Sequence, residues 1–138
     1  MSENSVIKGF AHTCFVVSDL KRSLAFYHDA LGMTEAFAFV NDDGERTGQY
    51  LHVGGRQFIE LFQGALGEAA EGQSYKHICL EVENLPQVVE TLRAKGVEIS
   101  DPKLGKDQSW QAWITDPDGN RIELHDYTPE SWQGPWLK

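Results

Sequence analysis

The sequence predicts an α+β fold made of two βαβββ modules, and three observations predict it. The first is an internal duplication: "AHTCFVVSDL" and "QFIELF" in the first half are matched by "KHICLEVENL" and "NRIELH" in the second. The second is the spacing of that match, because His12 and His77 lie 65 positions apart while Glu60 and Glu123 lie 63 apart. The third is element order. In each half an alternating, strand-like segment leads into a helix-period segment closed by Gly, and then into further strand-like stretches separated by turn residues. The modules cover about residues 8–64 and 75–127 of one domain spanning 1–138, and residues 128–138 form a C-terminal arm.

In the first module, "FAHTCFVV" alternates as a strand does. "SDLKRSLAFYHDALG" then reads as a helix, with Ser18 or Asp19 as N-cap, Leu20, Leu24, Tyr27 and Leu31 on one stripe, and Gly32 as its stop. Strands are predicted at Thr34–Val40, Gln49–Val53 and Gln57–Phe62, with "NDDGERTG" and "GG" as turns. The second module repeats this order. "KHICLEV" is a strand, and "NLPQVVETLRAKG" is a helix capped by Asn84 and ended by Gly96. Strands follow near Val97–Ile99, Trp110–Thr115 and Arg121–Tyr127, the last two joined by the turn "DPDGN". "QGALGEAAEGQS", rich in Gly and Ala, connects the modules. The arm "TPESWQGPWLK" is expected to pack Trp132 and Trp136 on the body or on a partner.

Strand phase carries the functional argument. Side chains alternate faces along a strand, so Thr13, Phe15 and Val17 oppose His12, Cys14 and Val16. Ile59 and Leu61 likewise oppose Phe58, Glu60 and Phe62. Ile78, Leu80 and Val82 oppose His77, Cys79 and Glu81, while Ile122 and Leu124 oppose Arg121, Glu123 and His125. In all four strands the aliphatic set can face the helices. His12, Glu60, His77 and Glu123 then fall together on the opposite face. One such His or Glu is usually only solvated, but two imidazoles and two carboxylates supplied symmetrically point to a divalent-metal site.

Cys14 and Cys79 share that face and read as small lining residues, since thiolates beside carboxylates are poor candidates for ligands. His28 reads as a surface residue of the helix, and the phase of His52 is open. His125, on the face of Glu123, is a candidate for supporting that ligand or touching substrate. The odd spacing of Trp110 and Trp113 places them on opposite faces, one in the core and the other beside the pocket.

Composition excludes several classes. With 138 residues, 41% hydrophobic and 24% charged, the chain can bury a core without staples. A net charge of −9 argues against nucleic acid and anionic membranes as partners. No apolar run is long enough to span a bilayer, and "MSENSVIK" lacks the apolar region of a signal peptide. Two Cys need no disulfide framework, so a reduced, cytoplasmic setting is expected.

The segments "HTCFVVSDLKRSLAFYHDALGM" and "DPDGNRIELHDY" resemble the vicinal oxygen chelate superfamily. That group includes glyoxalase I (lactoylglutathione lyase), methylmalonyl-CoA epimerase, extradiol dioxygenases, fosfomycin resistance transferases and bleomycin-binding proteins. The likeness runs from about Lys8 to Tyr127. It implies a cup-shaped mixed sheet with helices on the outer face and a metal in the cup. The order His12, Glu60, His77, Glu123 is most similar to glyoxalase I, and implies a divalent ion (Ni, Co, Zn, Mn or Fe). It further implies a small-molecule substrate whose adjacent oxygens chelate that ion, and a Glu that moves a proton between neighbouring carbons. By the resemblance Glu123 is that base and Glu60 its symmetric counterpart, and the protein is a homodimer.

Two positions depart from the glyoxalase I pattern. Relatives usually carry an Arg for a glutathione carboxylate four residues after the first ligand, where this chain has Val16. They tend to have Asn four residues after the second, where it has Gly64. The rival readings are an extradiol dioxygenase using His12, His77 and Glu123, a thiol transferase acting on an epoxide, and a non-enzymatic drug-binding protein. The first two have no call on Glu60.

Overall fold

In β1 (His12–Val17), Phe15 and Val17 are buried while His12, Cys14 and Val16 are exposed, which is the alternation read from the sequence. Asp19 then starts a helix: its carboxylate accepts from the Arg22 amide at 3.2 Å, capping α1 (Leu20–Leu24). The same helix continues as a wider π-helical turn over Ala25–Ala30, where the Leu31 amide reaches back to the Phe26 carbonyl at 2.9 Å. It ends at Gly32, whose φ of +81° is one that side chains with a Cβ rarely adopt. Leu20, Leu24 and Tyr27 are buried as the stripe predicts.

The coordinates are a computed structural model that describes residues 6–68 and 71–137. Part of the opening segment, part of the Gly/Ala-rich connector and the last residue of the arm therefore lie outside the described residues. Two compact units emerge, divided after Glu68.

The first unit is completed by β2 (Thr34–Val40), β3 (Arg46–Gly54) and β4 (Gln57–Gln63), in the sheet order β1-β4-β3-β2. β1 and β4 run parallel, and the other pairs are antiparallel. Strand β3 begins three residues earlier than predicted, at Arg46. The turn before it is tightened by Asn41, whose side-chain oxygen accepts from the amides of Asp43 and Glu45. On β4, Ile59 and Leu61 are buried and Glu60 and its neighbours Phe58 and Phe62 are half-buried, again in phase. Gly48 on β3 has no room for a side chain: an added Cβ would sit 2.7 Å from the Leu61 carbonyl oxygen and 2.6 Å from the Phe62 ring. A Gly48→Ala variant is expected to lose about 1–3 kcal/mol in urea denaturation, because the obstructing oxygen belongs to the ladder itself.

The second unit contains β5 (Ile78–Glu81), α2 (Leu85–Ala94), β6 (Lys103–Leu104), β7 (Trp110–Thr115) and β8 (Arg121–Asp126). Its sheet order, β5-β8-β7-β6, repeats the first with the same parallel pairing of first and last strands. The duplication extends to a structural brace. The first helical amide of α1, on Leu20, donates to Gln63 Oε1 at 2.9 Å, and that of α2, on Leu85, donates to Asp126 Oδ2 at 3.0 Å. Each brace residue stands three positions after Glu60 or Glu123, so each helix start is tied to the strand that carries the candidate ligand.

Four expectations are corrected. The stretch Val97–Ile99 is not a strand; Ile99 is buried, but the ladder partner of β7 is Lys103–Leu104. Asn84 makes no side-chain cap: it adopts a left-handed conformation, and Asp126 satisfies the helix end instead. Neither Trp110 nor Trp113 is core, since Trp110 is exposed and Trp113 half-buried. The arm forms a 3-10 turn at Gly134–Trp136 and is tied to the unit by buried Ser131, whose hydroxyl meets that of Ser109 at 2.6 Å. Trp132 and Trp136 remain exposed, so of the two expected resting places, the body and a partner, the first is overturned. Among the described residues no helix is long and apolar enough to cross a membrane.

Candidate metal centre

Each unit brings one His and one Glu together from the same strand positions. On β4, Glu60 is paired with Cys14 of β1 on one side and Tyr50 of β3 on the other. His12, two residues before Cys14, lies on that face, and its Nε2 stands 3.7 Å from Glu60 Oε1. On β8, Glu123 is paired with Cys79 of β5 and Trp113 of β7. His77, immediately before β5, places its Nε2 3.2 Å from Glu123 Oε1. The sequence-predicted ligands are thus brought together pairwise, His12 with Glu60 and His77 with Glu123.

The His77–Glu123 gap of 3.2 Å has the spacing of two ligands on one ion, while the His12–Glu60 gap of 3.7 Å is about 0.3 Å too wide for it as it stands. Both gaps exceed the ~2.7–2.9 Å of a charge-assisted hydrogen bond. Two ligand atoms about 2.1 Å from a common ion, at octahedral to tetrahedral angles, stand about 3.0–3.4 Å apart. Imidazole with carboxylate also suits Zn, Ni, Co and Fe. The ring nitrogens remote from the carboxylates are held or screened. Tyr50 places its hydroxyl 3.0 Å from His12 Nδ1, which leaves Nε2 facing Glu60. Trp113 meets the His77 ring edge-on, with centroids 4.8 Å apart, and the Arg121 guanidinium lies over Trp113 at 4.2 Å.

The pair in the second unit has an addition that the pair in the first lacks. His125 Nδ1 lies 2.8 Å from Glu123 Oε2, and both residues are 9% exposed. Because an ionised carboxylate only accepts, Nδ1 carries the proton. Its Nε2 is buried without a hydrogen bond and faces Asp107 Oδ2 at 3.5 Å. Gln133 Nε2 donates to that same oxygen at 2.7 Å, which is the main reason the Asp107 carboxyl is held below the usual range; the Ser109 amide helps at Oδ1.

Cys79, Glu123 and His125 offer ligand atoms within 4.8 Å of one another. The Cys79 thiol, although reachable from the surface, is pushed up to about 12, by burial first and then by the charges of Glu123 and Asp107. That keeps it protonated at neutral pH in the metal-free protein. Iodoacetamide is expected to label it at pH 8 roughly 10³-fold more slowly than a free thiol in the metal-free protein. Labelling at the free-thiol rate in a Cys14→Ala background would show that neither carboxylate governs the sulfur.

His52 and His28 fall outside the site. His52 Nε2 meets the Gly55 carbonyl at 2.8 Å, and His28 Nδ1 meets that of Met33 at 2.6 Å. Sequence reasoning missed Tyr50 and Asp107. Tyr50 was legible in principle, since register places it directly opposite Glu60. Asp107 was not, because it sits in the loop before β7 with no periodic signal.

Comparison with known proteins agrees with this architecture. The family model described as Glyoxalase/Bleomycin resistance protein/Dioxygenase superfamily matches residues 9–124. A lactoylglutathione lyase of Salmonella typhimurium is 32% identical over 120 residues, covering 82% of this chain and 88% of that protein. The metallothiol transferase FosB of Staphylococcus epidermidis is 36% identical over 119 residues, covering 83% of this chain and 78% of that protein. Among solved structures, a glyoxalase family protein from Enterococcus faecalis superposes with a TM-score of 0.74 at 21% identity, covering 88% of this chain and 99% of that one. With a family model spanning most of its length, and the two-module architecture beside it, the chain belongs to the glyoxalase/bleomycin resistance protein/dioxygenase superfamily.

Proposed function

We propose that this protein is a metal-dependent lyase or isomerase of the glyoxalase I type, which moves a proton between adjacent carbons of a small substrate. The supporting observation is that each unit carries a His–Glu pair, at 3.7 Å and 3.2 Å. A ring-cleaving oxygenase or a thiol transferase of the superfamily needs only three protein ligands, and Glu60 would then have no work at the metal. His12, Glu60, His77 and Glu123 are the residues that would hold a divalent ion. When bound, such an ion supplies Lewis-acid stabilisation of charge on two neighbouring substrate oxygens.

The chain's own residues do the rest. His12, with Nδ1 held by Tyr50, presents Nε2; His77 presents Nε2 beside Trp113. A carboxylate of the pair Glu60 and Glu123 accepts the carbon-bound proton and returns it to the next carbon. Substrate carrying the glutathione carboxylates is not favoured here, because Val16 on the face of His12 offers no charge to pair them. We take the working form to be a cytoplasmic homodimer; a monomer by light scattering at assay concentration removes that part of the proposal.

The second reading, transfer of a thiol to an epoxide, is favoured by the identity to FosB. One experiment separates the two. Metal-loaded protein is incubated in D2O with a panel of hemithioacetals of 2-oxoaldehydes, and separately with an epoxide and thiols. The expected result is isomerised product, lost by roughly 10²–10⁴-fold in Glu60→Gln. Epoxide opening that survives Glu60→Gln moves the assignment to a transferase. Ligand binding by a protein that takes up no divalent ion moves it to a binding protein.

A further inference from the structure

We infer that the second unit carries a cation site of its own, separate from the His77–Glu123 pair, in which Cys79, Asp107 and His125 hold a thiophilic divalent ion of the zinc and cadmium class. The site needs neither the first unit nor the activity proposed above.

An orphaned nitrogen carries the inference. His125 donates from Nδ1 to Glu123 Oε2 at 2.8 Å, which leaves Nε2 as an acceptor. Nε2 is buried, makes no hydrogen bond among the described residues, and faces Asp107 Oδ2 at 3.5 Å. His125 is 9% exposed, and Tyr127 meets its ring edge-on with centroids 4.9 Å apart. Two acceptors facing each other away from water are costly unless a proton or a cation lies between them. A proton would draw them to the ~2.7–2.9 Å of a charge-assisted hydrogen bond. A nitrogen and an oxygen each about 2.1 Å from one tetrahedral ion stand about 3.4 Å apart, close to the spacing observed. Glu123 Oε2 is then the carboxylate oxygen behind a metal-bound imidazole, the usual device for fixing the tautomer of a ligand His, while Oε1 stays with His77 at 3.2 Å.

The other donors are close at hand. Asp107 is held by Gln133 Nε2 on Oδ2 at 2.7 Å, by the Ser109 amide on Oδ1 at 3.1 Å, and by the Trp132 amide on its carbonyl at 2.9 Å. Cys79 Sγ lies within 4.8 Å of a His125 nitrogen. Sulfur and nitrogen on one ion stand about 3.6 Å apart, so a turn of the Cys79 side chain closes the set. Negative charge converges there as well: Glu123 and Asp107 act on the Cys79 thiol, and Glu81, Asp107 and Glu123 all act on the Tyr127 hydroxyl. Binding sends the thiol proton to solvent, because a coordinated sulfur is the thiolate. With that thiol pushed up to about 12, the site fills at neutral pH only at higher ion concentration than donors that carry no proton. Once filled, it fastens the loop of Asp107, and through Gln133 the C-terminal segment, to β8.

The test is a Co(II) titration of the full chain in a Cys14→Ser background, read by calorimetry and by the thiolate-to-cobalt charge-transfer band in the near ultraviolet, with Zn(II) added last as competitor. The expected result is a binding phase that carries this band, is bleached by Zn(II), and keeps its affinity within about threefold in His77→Ala. Cys79→Ser is expected to lose the band. Asp107→Asn, which keeps the Gln133 contact, is expected to weaken the phase roughly 10–100-fold, with the metal-free thermal midpoint of each variant close to that of the parent. A band absent from the parent, or unmoved in Asp107→Asn, overturns the inference. A band lost in His77→Ala also overturns it, since the thiol would then serve the His77–Glu123 ion, and leaves the metal-centre reading standing.

Discussion

Stripping the metal with a chelator is expected to lower the thermal midpoint of the wild-type protein by roughly 10 °C, and His77→Ala is expected to abolish that difference. The size follows from linkage. An ion that binds only the folded form, held at about 100 times its dissociation constant, adds about 2.7 kcal/mol. For a domain of 138 residues each kcal/mol is worth roughly 3–4 °C. His77 is the decisive residue because it precedes β5 and places its Nε2 3.2 Å from Glu123 Oε1 without lying in the hydrophobic core. Its removal leaves packing intact, so the metal-free midpoint of His77→Ala should match that of the metal-free wild type within a few degrees. A metal-dependent rise that survives in His77→Ala would place the ion elsewhere, with the trio Cys79, Glu123 and His125 the first alternative to examine.

Much of this site was legible because strands report their two faces at period two. The segments around His12 and Glu60 alternate cleanly, so one residue of known phase fixes the rest, whereas around Glu123 the residues Ile122–His125 are all buried and only their chemistry alternates. Around His77 the alternation places the side chain beside Glu123 even though the ladder begins one residue later, at Ile78. The misreadings have specific causes. Val97–Ile99 alternates because Ile99 must reach the core, yet the segment is held by the Ser100 amide on the Trp113 carbonyl and by the Trp113 amide on Ser100 Oγ rather than by a ladder. Apolar phase reports burial and is silent about backbone pairing. The cap of α2 comes from Asp126 and the support of His125 from Asp107, each distant along the chain from the group it serves. Such contacts leave no local pattern to read. The same holds for the His125 partner of Glu123, which stands where the first module has Phe62.

A Leu61→Ala substitution is expected to cost about 2–5 kcal/mol in urea denaturation, and Phe62→Leu, one residue away, less than about 1.5 kcal/mol. The contrast follows from the two faces of β4. Leu61 is 0% exposed and is paired with Phe15 of β1, among the residues buried with Leu20, Leu24 and Tyr27 of the helix. Truncation there removes apolar contact and leaves a cavity that a strand hydrogen-bonded on both sides cannot collapse. Phe62 lies on the face of Glu60 and is half-buried, so its shortening is partly repaired by neighbouring rings and by water. The pair tests whether the alternation that places Glu60 toward the metal also divides the strand's labour. If so, the helix face carries stability, and the opposite face is left to carry chemistry. Comparable costs at the two positions would mean that the Glu60 face is itself structural core, and the case for Glu60 as a ligand would weaken with it.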